Sequence, residues 1–497
     1  SALGANTTGH SNVAIGKDAF ASNTTGQRGV AIGTDALQAN TTANYGVAIG
    51  FEALAANTTG ANNIAIGKST LQANITGANN TAIGFESMVA NTTGYSNSAI
   101  GANSLDANTT GTANSAFGHN ALSANTTATQ NTAVGYSALK TNITGTHNTA
   151  VGGLALEVNT TGSTNVAVGF ATLDANTTGL SNTGLGAYAL SFNTTGIKNS
   201  AIGVNSLLDN TTGGGNVAMG YEALSNNTTG SNNVAIGKDS LFTATTADNN
   251  TAVGKDAMFY TTTGYANVAI GYTALVANTT GSGIVAIGRN ALGLNTTGYY
   301  NVAVGEYAGK AITTGINTTA IGRASLDQLT TGSANSALGK GAGYSTTTGG
   351  NNSFIGEDAI AASATASNSI TLGNGNIGNL RCADTSISAL SDSRDKTNIV
   401  DIPLGLAFVN AVRPVSFDWD TRDGTRVGKK DFGFIAQELK TAEDATDYAD
   451  HMRLVHDDNP DKLEADPMKM FPILVKAIQE LSTENEALKA RLTAGGL

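Results

Sequence analysis

Asn57-Thr58-Thr59-Gly60-Ala61-Asn62-Asn63-Ile64-Ala65-Ile66-Gly67-Lys68-Ser69-Thr70-Leu71-Gln72-Ala73 is one copy of a 17-residue unit that recurs along most of the chain. We number its positions 1 to 17 from the opening Asn. Degenerate copies fall on the same grid, which gives 22 units without insertion or deletion. A fixed period of this length is the signature of a repeat architecture. The Asn of N-T-T-G, N-I-T-G or N-T-T-A stands at 6, 23, 40, 57, 74, 91, 108, 125, 142, 159, 176, 193, 210, 227, 278 and 295, and the degenerate units begin at 244, 261, 312, 329, 346 and 363.

Each part of the unit predicts a local structure. Runs such as Asn233–Ile236 are too short for helices and predict strands, each ended by the Gly that occupies position 11 in all 22 units. N-T-T-G and this Gly predict turns, because Gly and Asn tolerate positive φ. Ala at position 9, a branched residue at position 10 and Leu at position 15 are expected to form one apolar layer per coil. Coils stacked at ~4.8 Å would make residues 1–373 a mostly β, parallel β-roll or β-solenoid rod on the order of 100 Å long.

The absence of insertions indicates that something encloses the rod on all sides, and three rods packed side by side would do so. The segments Asn12-Val13-Ala14-Ile15-Gly16 and Asn301-Val302-Ala303-Val304-Gly305 resemble the head repeats of trimeric autotransporter adhesins and of many phage tail fibres. That resemblance implies left-handed parallel β-rolls assembled as homotrimers. The adhesin repeats are shorter than 17 residues.

Composition divides the chain into two parts. All five prolines, the single Trp419 and 34 of the 63 charged residues follow residue 390. The net charge of −11 and the lack of a Lys/Arg stripe argue against a nucleic-acid partner. No run of 18 apolar residues is present, so we expect no membrane insertion. Ala2 and Leu3 fit positions 14 and 15 of a unit whose first half is missing, so we expect the distal part of a longer protein.

Several chemistries suggested by the repeat are disfavoured. Sixteen N-x-T acceptors on one period are better explained as a repeated turn than as glycan sites. The Thr pairs leave an ice- or mineral-binding solenoid as an alternative, although Asn/Thr hydrogen-bonding ladders explain them more simply. His10, His119 and His147 share no ligand spacing, so we expect no metal and no cofactor. Cys382 is the only cysteine, which excludes a disulfide within the chain.

The variable positions of the unit are expected to face outward. They hold bulky or charged residues such as Tyr95, Tyr221, Phe259, Lys198 and Arg289. Such a surface could bind a cell-surface polysaccharide or protein receptor, or these positions could simply be free to vary.

Residues 374–390 are interpreted as a connector and residues 391–497 as a second domain. Ser391-Asp392-Ser393-Arg394-Asp395-Lys396-Thr397-Asn398-Ile399 resembles the opening of endosialidase-type intramolecular chaperones, which lie at the C-terminus of many phage tailspikes and fibres. Asp431–Leu439 resembles the G-F-I-A-Q-E segment of that family, and Leu474–Leu481 its closing helix. Three blocks in the right order make the resemblance specific.

The residues of this domain predict a small α+β fold. Pro403–Val412 predicts a short helix, and Pro414–Asp420 and Val427–Ala436 predict two strands. After Pro472, apolar residues at alternating spacings of four and three predict a coiled-coil seam, in which a core Asn would fix register and oligomeric state. A single helix packed on its own domain remains the alternative. The seam consists of Leu474, Ile478, Leu481, Asn485, Leu488 and Leu492.

The resemblance to the chaperones implies serine-type self-cleavage between Leu390 and Ser391. Ser391 Oγ would attack the carbonyl of Leu390, and Lys396 would be the base. Burial, expected only after three chains assemble, would lower the pKa of Lys396 and leave a neutral amine. Asp392 and Arg394 are expected to pair as supporting residues. We expect no activity on an external substrate.

The sequence therefore predicts a trimeric phage tail fibre on the virion, used for host attachment. Its C-terminal domain would drive trimerisation and folding and then remove itself. A bacterial trimeric adhesin at the cell surface is the first alternative, and the ice- or mineral-binding solenoid is the second.

Overall fold

The computed structural model describes residues 1–377, 391–421, 427–457 and 463–495. Each of the 22 repeat units forms one three-residue strand of a parallel β-solenoid. The chain divides into two compact units, Ser1–Ala334 with strands β1 to β19 and Asn335–Leu497 with β20 to β22 and the C-terminal elements. The strands are β1 Val13–Ile15, β2 Val30–Ile32, β3 Val47–Ile49, β4 Ile64–Ile66, β5 Thr81–Ile83, β6 Ser98–Ile100, β7 Ser115–Phe117, β8 Thr132–Val134, β9 Thr149–Val151, β10 Val166–Val168, β11 Thr183–Leu185, β12 Ser200–Ile202, β13 Val217–Met219, β14 Val234–Ile236, β15 Thr251–Val253, β16 Val268–Ile270, β17 Val285–Ile287, β18 Val302–Val304, β19 Thr319–Ile321, β20 Ser336–Leu338, β21 Ser353–Ile355 and β22 Ile370–Leu372.

Within the compact unit Ser1–Ala334, the strands pair in sequence order with one constant register. Ala65 of β4 pairs with Ala48 of β3 and Ala82 of β5, which lie 17 residues away on either side. Each residue therefore stacks on its equivalent in the next coil. At ~4.8 Å per coil, the 19 strands of this unit extend over roughly 90 Å.

The core of each coil is built from positions 9, 14 and 15. Ala65, Thr70 and Leu71 of one coil have no exposed surface. Successive side chains of a strand point to opposite faces, so the buried Ala at position 9 directs its neighbours at positions 8 and 10 outward. The prediction that the branched residue at position 10 belongs to the apolar layer is therefore wrong. Ile15 is 59% exposed, and its equivalents are partly or largely exposed.

Two buried columns of Asn hold the turns together. Asn74 Nδ2, at position 1, donates to Asn57 Oδ1 of the preceding coil at 2.8 Å and to the Gly77 carbonyl at 2.9 Å. Asn63, at position 7, donates to the same carbonyl at 2.7 Å and accepts from the Asn80 backbone N–H at 2.9 Å. The expected hydrogen-bonding ladders are thus present. From Asn23 onward, the position-1 Asn residues of the N-x-T acceptors are buried, so the folded coil gives a glycan no access to them.

The C-terminal elements form a small α+β region. The helices of this region converge on one apolar cluster that contains Phe408, Leu439, Met452, Leu454 and Ile473. The four described strands form two antiparallel pairs, the first two with each other and the last two with each other. The elements are a 3-10 turn at Ser393–Asp395, α1 Leu406–Ala411, β23 Val415–Asp420, β24 Val427–Gly433, α2 Ala436–Asp444, α3 Ala449–Met452, β25 Val455–His456, β26 Glu464–Ala465, a second 3-10 turn at Pro467–Met470 and α4 Phe471–Ala494.

Two carboxylates connect these elements. Glu480 of α4 accepts a hydrogen bond from the Leu406 backbone N–H at 2.8 Å, which caps the first turn of α1. Glu443 of α2 is buried and accepts from the Leu454 backbone N–H at 2.6 Å. Each pairing satisfies a backbone donor that would otherwise lack a partner inside the domain.

Candidate functional site

A tight turn brings Ser391 and Lys396 together. Asp392 is the N-cap of the 3-10 turn Ser393–Asp395, and its carboxylate accepts from the Arg394 backbone N–H at 2.9 Å. The Lys396 backbone N–H donates to the Ser393 carbonyl at 3.3 Å, which turns the chain back on itself. Lys396 Nζ consequently lies 2.6 Å from Ser391 Oγ and 3.3 Å from the Ser391 carbonyl oxygen.

Asp392 and Arg394 form an ion pair on the same turn. Arg394 Nη2 lies 2.5 Å from Asp392 Oδ2. The Arg394 guanidinium, together with the Arg394 backbone N–H, lowers the pKa of Asp392, and the Asp392 carboxylate raises the pKa of Arg394. The ion pair therefore keeps both groups charged and joined to each other.

Ser391 and Lys396 are exposed in the single chain, and Lys396 lines an open groove of about 580 Å³. Ile399, Val400, Tyr448, His451 and Lys469 also line this groove. The last three come from α3, its N-cap and the second 3-10 turn, some fifty to eighty residues away in sequence. Sequence reasoning missed them, and no local pattern marks them.

Part of the predicted site lies outside the described residues. Leu390, the expected residue before the cleaved bond, is in the stretch 378–390 that the structure does not describe. Cys382 and most of the expected connector lie there as well.

Helix α4 has a buried side and an exposed apolar stripe. Ile473 and Ala477 are buried, Ile473 in the apolar cluster of its own domain. The residues of the expected seam point away from it, since Ile478 is 66% exposed and Asn485 is exposed as well. Four further seam residues are exposed in the same way: Leu474, Leu481, Leu488 and Leu492.

The solenoid carries a second exposed apolar surface, which we call the position-10 stripe. It consists of the outward side chain at position 10 of each coil, which is Ile, Val, Leu, Met or Phe in all 22 units. Leu185 and Met219 in the middle of the stripe are each 43% exposed. Outward positions such as 5, 6 and 12 vary among polar, charged, aromatic and aliphatic residues, so the constant apolar character of position 10 is distinctive.

The variable outward positions place aromatic and cationic side chains side by side. Lys238 Nζ lies 5.5 Å from the ring centre of Tyr221, and Lys255 Nζ lies 5.4 Å from that of Tyr272. Within the described ranges, no group of three or more His, Cys, Asp and Glu side chains converges as metal ligands. The helices described here also include none with the length and apolar character needed to cross a membrane.

Comparison with known proteins agrees with the geometry of the C-terminal region. Residues 391–452 match a family model described as the chaperone of endosialidase. The match begins at Ser391 and includes the first two blocks on which the resemblance was based. No curated protein and no solved structure matches the chain.

Proposed function

We propose that this tail fibre-like chain, a β-solenoid with an endosialidase-type chaperone region at its C-terminus, is a homotrimeric fibre of a phage virion that attaches to a polysaccharide or protein on the host surface. Residues 1–373 would form the rod, 374–390 the connector, and 391–497 a chaperone that removes itself after assembly. The observation that carries the proposal is the 2.6 Å approach of Lys396 Nζ to Ser391 Oγ at the start of the matched segment.

Two exposed apolar surfaces support the trimer. The position-10 stripe runs the whole length of the compact unit Ser1–Ala334. An exposed apolar surface of that extent is typical of an interface. The seam of α4 repeats at coiled-coil spacing and contains Asn485, a residue type that fixes register and strand number. In a trimer, the position-10 stripes of the three chains could pack against one another, and so could the three α4 seams.

The constant register of the coils explains the need for a chaperone. A neighbouring chain that slips by 17 residues meets almost the same side chains as before, so side-chain contacts specify the alignment weakly. A C-terminal trimer formed first would align the three chains before the coils pack.

In the proposed reaction, Ser391 Oγ attacks the carbonyl carbon of Leu390 while Lys396 Nζ accepts the hydroxyl proton. The amide C–N bond breaks, the proton passes to the departing Ser391 nitrogen, and an ester joins Leu390 to Ser391 Oγ. Water then hydrolyses the ester and leaves a carboxylate on Leu390. Only a neutral amine can accept the first proton, and neighbouring chains would favour it by burying Lys396, which is exposed in the single chain.

Denaturing electrophoresis of the expressed protein tests the cleavage. The wild-type chain should give residues 1–390 and a fragment of about 107 residues that begins at Ser391. Ser391→Ala removes the nucleophile, and Lys396→Arg replaces the base with a guanidinium that cannot release its proton at accessible pH. Both variants should give one full-length band while keeping the wild-type circular dichroism spectrum. Cleavage of Lys396→Arg would eliminate Lys396 as the base, and a different first residue would eliminate the junction.

Light scattering on uncleaved Ser391→Ala protein tests the trimer. We expect three times the chain mass of 50.0 kDa. Leu481→Asp combined with Leu488→Asp places charges in the exposed seam and should lower the mass to that of one chain, because buried unpaired carboxylates are costly. Thr483→Asp, on the same helix outside the seam, is the matched control and should leave the trimer intact. A wild-type-like mass for the Leu variant would rule out the seam as the trimer contact.

A further inference from the structure

Among the described residues, the carboxylate of Asp392 makes all of its hydrogen bonds with Arg394. Oδ1 accepts from the Arg394 backbone N–H at 2.9 Å and from Nε at 3.0 Å. Oδ2 accepts from Nε at 3.1 Å and from Nη2 at 2.5 Å. One carboxylate thus caps the turn through the Arg394 backbone N–H and forms an ion pair with the Arg394 guanidinium.

The cap determines where the two reacting side chains lie. Ser391 precedes the turn and Lys396 follows it, so their separation depends on whether residues 393–395 are folded. A short 3-10 turn has few internal hydrogen bonds, and the bond from the Arg394 N–H to Asp392 is one of those that close it. The 2.6 Å contact between Lys396 and Ser391 is therefore built on this cap.

The ion pair engages one of the two carboxylates on the turn that leads to Lys396. A carboxylate close to an amine favours the ammonium form, which cannot act as a base. Asp392 lies four residues before Lys396, and both of its oxygens are occupied by Arg394. The titratable and charged groups on the turn or around the groove are Asp392, Arg394, Asp395, Asp401, Tyr448, His451 and Lys469.

We propose that Asp392 and Arg394 are positioning residues of the proposed self-cleavage, with separable roles. The Asp392 carboxylate caps the turn that places Lys396 on Ser391. The Arg394 guanidinium occupies both oxygens of that carboxylate, so that the carboxylate does not pair with Lys396 and the amine can lose its proton. This inference rests on the proposed function and assigns two further residues to it.

The pH dependence of the cleavage rate in the full chain separates the roles. Arg394→Ala keeps the backbone N–H that the cap needs but frees the carboxylate, so the pH of half-maximal rate should rise by roughly half to one unit. Adding Asp392→Asn to this variant keeps an oxygen acceptor and removes the charge, so the profile should return to that of the wild type. Asp392→Ala removes the cap and should slow cleavage at every pH by roughly twofold to thirtyfold, the range of measured N-cap effects.

A merely structural role for the pair would slow all variants without moving the pH profile. An Arg394→Ala profile that coincides with that of the wild type, or a shift that persists with Asp392→Asn, would overturn the role of Arg394. Wild-type rates in Asp392→Ala would overturn the role of the cap. Light scattering on each variant shows that assembly is unchanged.

A second measurement does not depend on cleavage. In the Ser391→Ala background, the pH dependence of Lys396 acetylation, followed by competitive labelling and mass spectrometry, reports the pKa of this amine. Arg394→Ala should raise that pKa, and the added Asp392→Asn should reverse the rise; identical labelling curves would overturn the role of Arg394. A wild-type chain that stays uncleaved at every pH would overturn the proposed self-cleavage and the part of the cap in it. The labelling would still decide whether Arg394 keeps the Asp392 carboxylate from pairing with Lys396.

Discussion

The glycine at position 11 sets how closely consecutive coils can approach. Gly237 has φ of +129°, in a region that side chains rarely adopt. A Cβ atom there would lie 2.6 Å from the carbonyl oxygen of Gly254 in the next coil. Both the backbone conformation and the space therefore require glycine, and the turn predicted from its presence in every unit has a steric cause.

Gly237→Val should lower the melting temperature of the assembled protein. Forcing a side chain into this backbone region costs roughly 1–3 kcal/mol in each chain, and the clash with a backbone oxygen cannot be relieved by rotating a side chain. Gly153→Ala is the matched control, because Gly153 has no positive φ and a Cβ there would have no neighbour closer than 3.6 Å. Differential scanning calorimetry of both variants checks the difference. Equal melting temperatures would show that the glycine at position 11 is dispensable.

Leu at position 15 shows where residue-level prediction failed. Leu71 has φ of +51°, a conformation that sequence rules reserve for Gly, Asn and Asp. Its side chain is fully buried, and the free energy of that burial, about 1.5–3 kcal/mol, offsets the backbone cost. Burial of Leu was predicted from its recurrence, whereas its backbone conformation depends on the closed coil and has no local signal.

At the scale of the repeating turn, the buried Asn columns add a hydrogen-bonded core beside the apolar layer of Ala and Leu. Asn176 donates to Asn159 Oδ1 at 2.8 Å and to the Gly179 carbonyl at 3.2 Å, and it accepts from Asn193 Nδ2 at 2.9 Å. The same position holds Ile312 and Leu329 in two adjacent degenerate units, and both are fully buried. The column thus changes from amide to apolar at these two coils, and at their boundaries Asn295 Oδ1 and Thr346 Oγ1 are buried without a hydrogen-bond partner among the described residues.

Asn176→Leu should destabilise the solenoid although Leu is native at the equivalent position 329. The substitution leaves Asn159 Oδ1 without its donor, and a buried polar group without a partner costs about 1–3 kcal/mol. The Gly179 carbonyl and Asn193 Nδ2 each lose one hydrogen bond but keep another, to Asn165 and to the Gly196 carbonyl. Urea denaturation followed by circular dichroism measures the change. Thr178→Ala, two residues away and exposed, should have little effect. An Asn176→Leu midpoint equal to that of the wild type would mean that the ladder contributes no net stability.

The C-terminal elements show which parts of the site were predictable. The expected helix Pro403–Val412 corresponds to α1 at Leu406–Ala411, and the expected strands Pro414–Asp420 and Val427–Ala436 correspond to β23 and β24. The second strand ends at Gly433, and α2 begins at Ala436. Ser391 and Lys396 were identified because the segment around them resembles the opening of the endosialidase-type chaperones. His451 and Lys469 reach the same groove only through tertiary packing of distant elements.

For the whole molecule, we predict that cleavage makes unfolding irreversible. Loss of the chaperone removes the only part proposed to align the chains, so the cleaved trimer should be kinetically trapped and should not refold after melting. Uncleaved Ser391→Ala protein should recover most of its unfolding enthalpy on a second heating scan. Lys396→Arg, which blocks cleavage by a different change, should behave as Ser391→Ala does. Full recovery by the cleaved wild type would contradict this assignment.

The constant register of the coils affects how the number of repeat units encoded by the gene can change. Ala48, Ala65 and Ala82 stack with the same spacing that every neighbouring pair of coils repeats. Recombination that removes or duplicates a whole 17-residue unit therefore joins two surfaces that already match, whereas a one-residue shift in strand register would turn the buried Ala outward. The length of the solenoid therefore changes in steps of ~4.8 Å, and it can evolve without compensating substitutions.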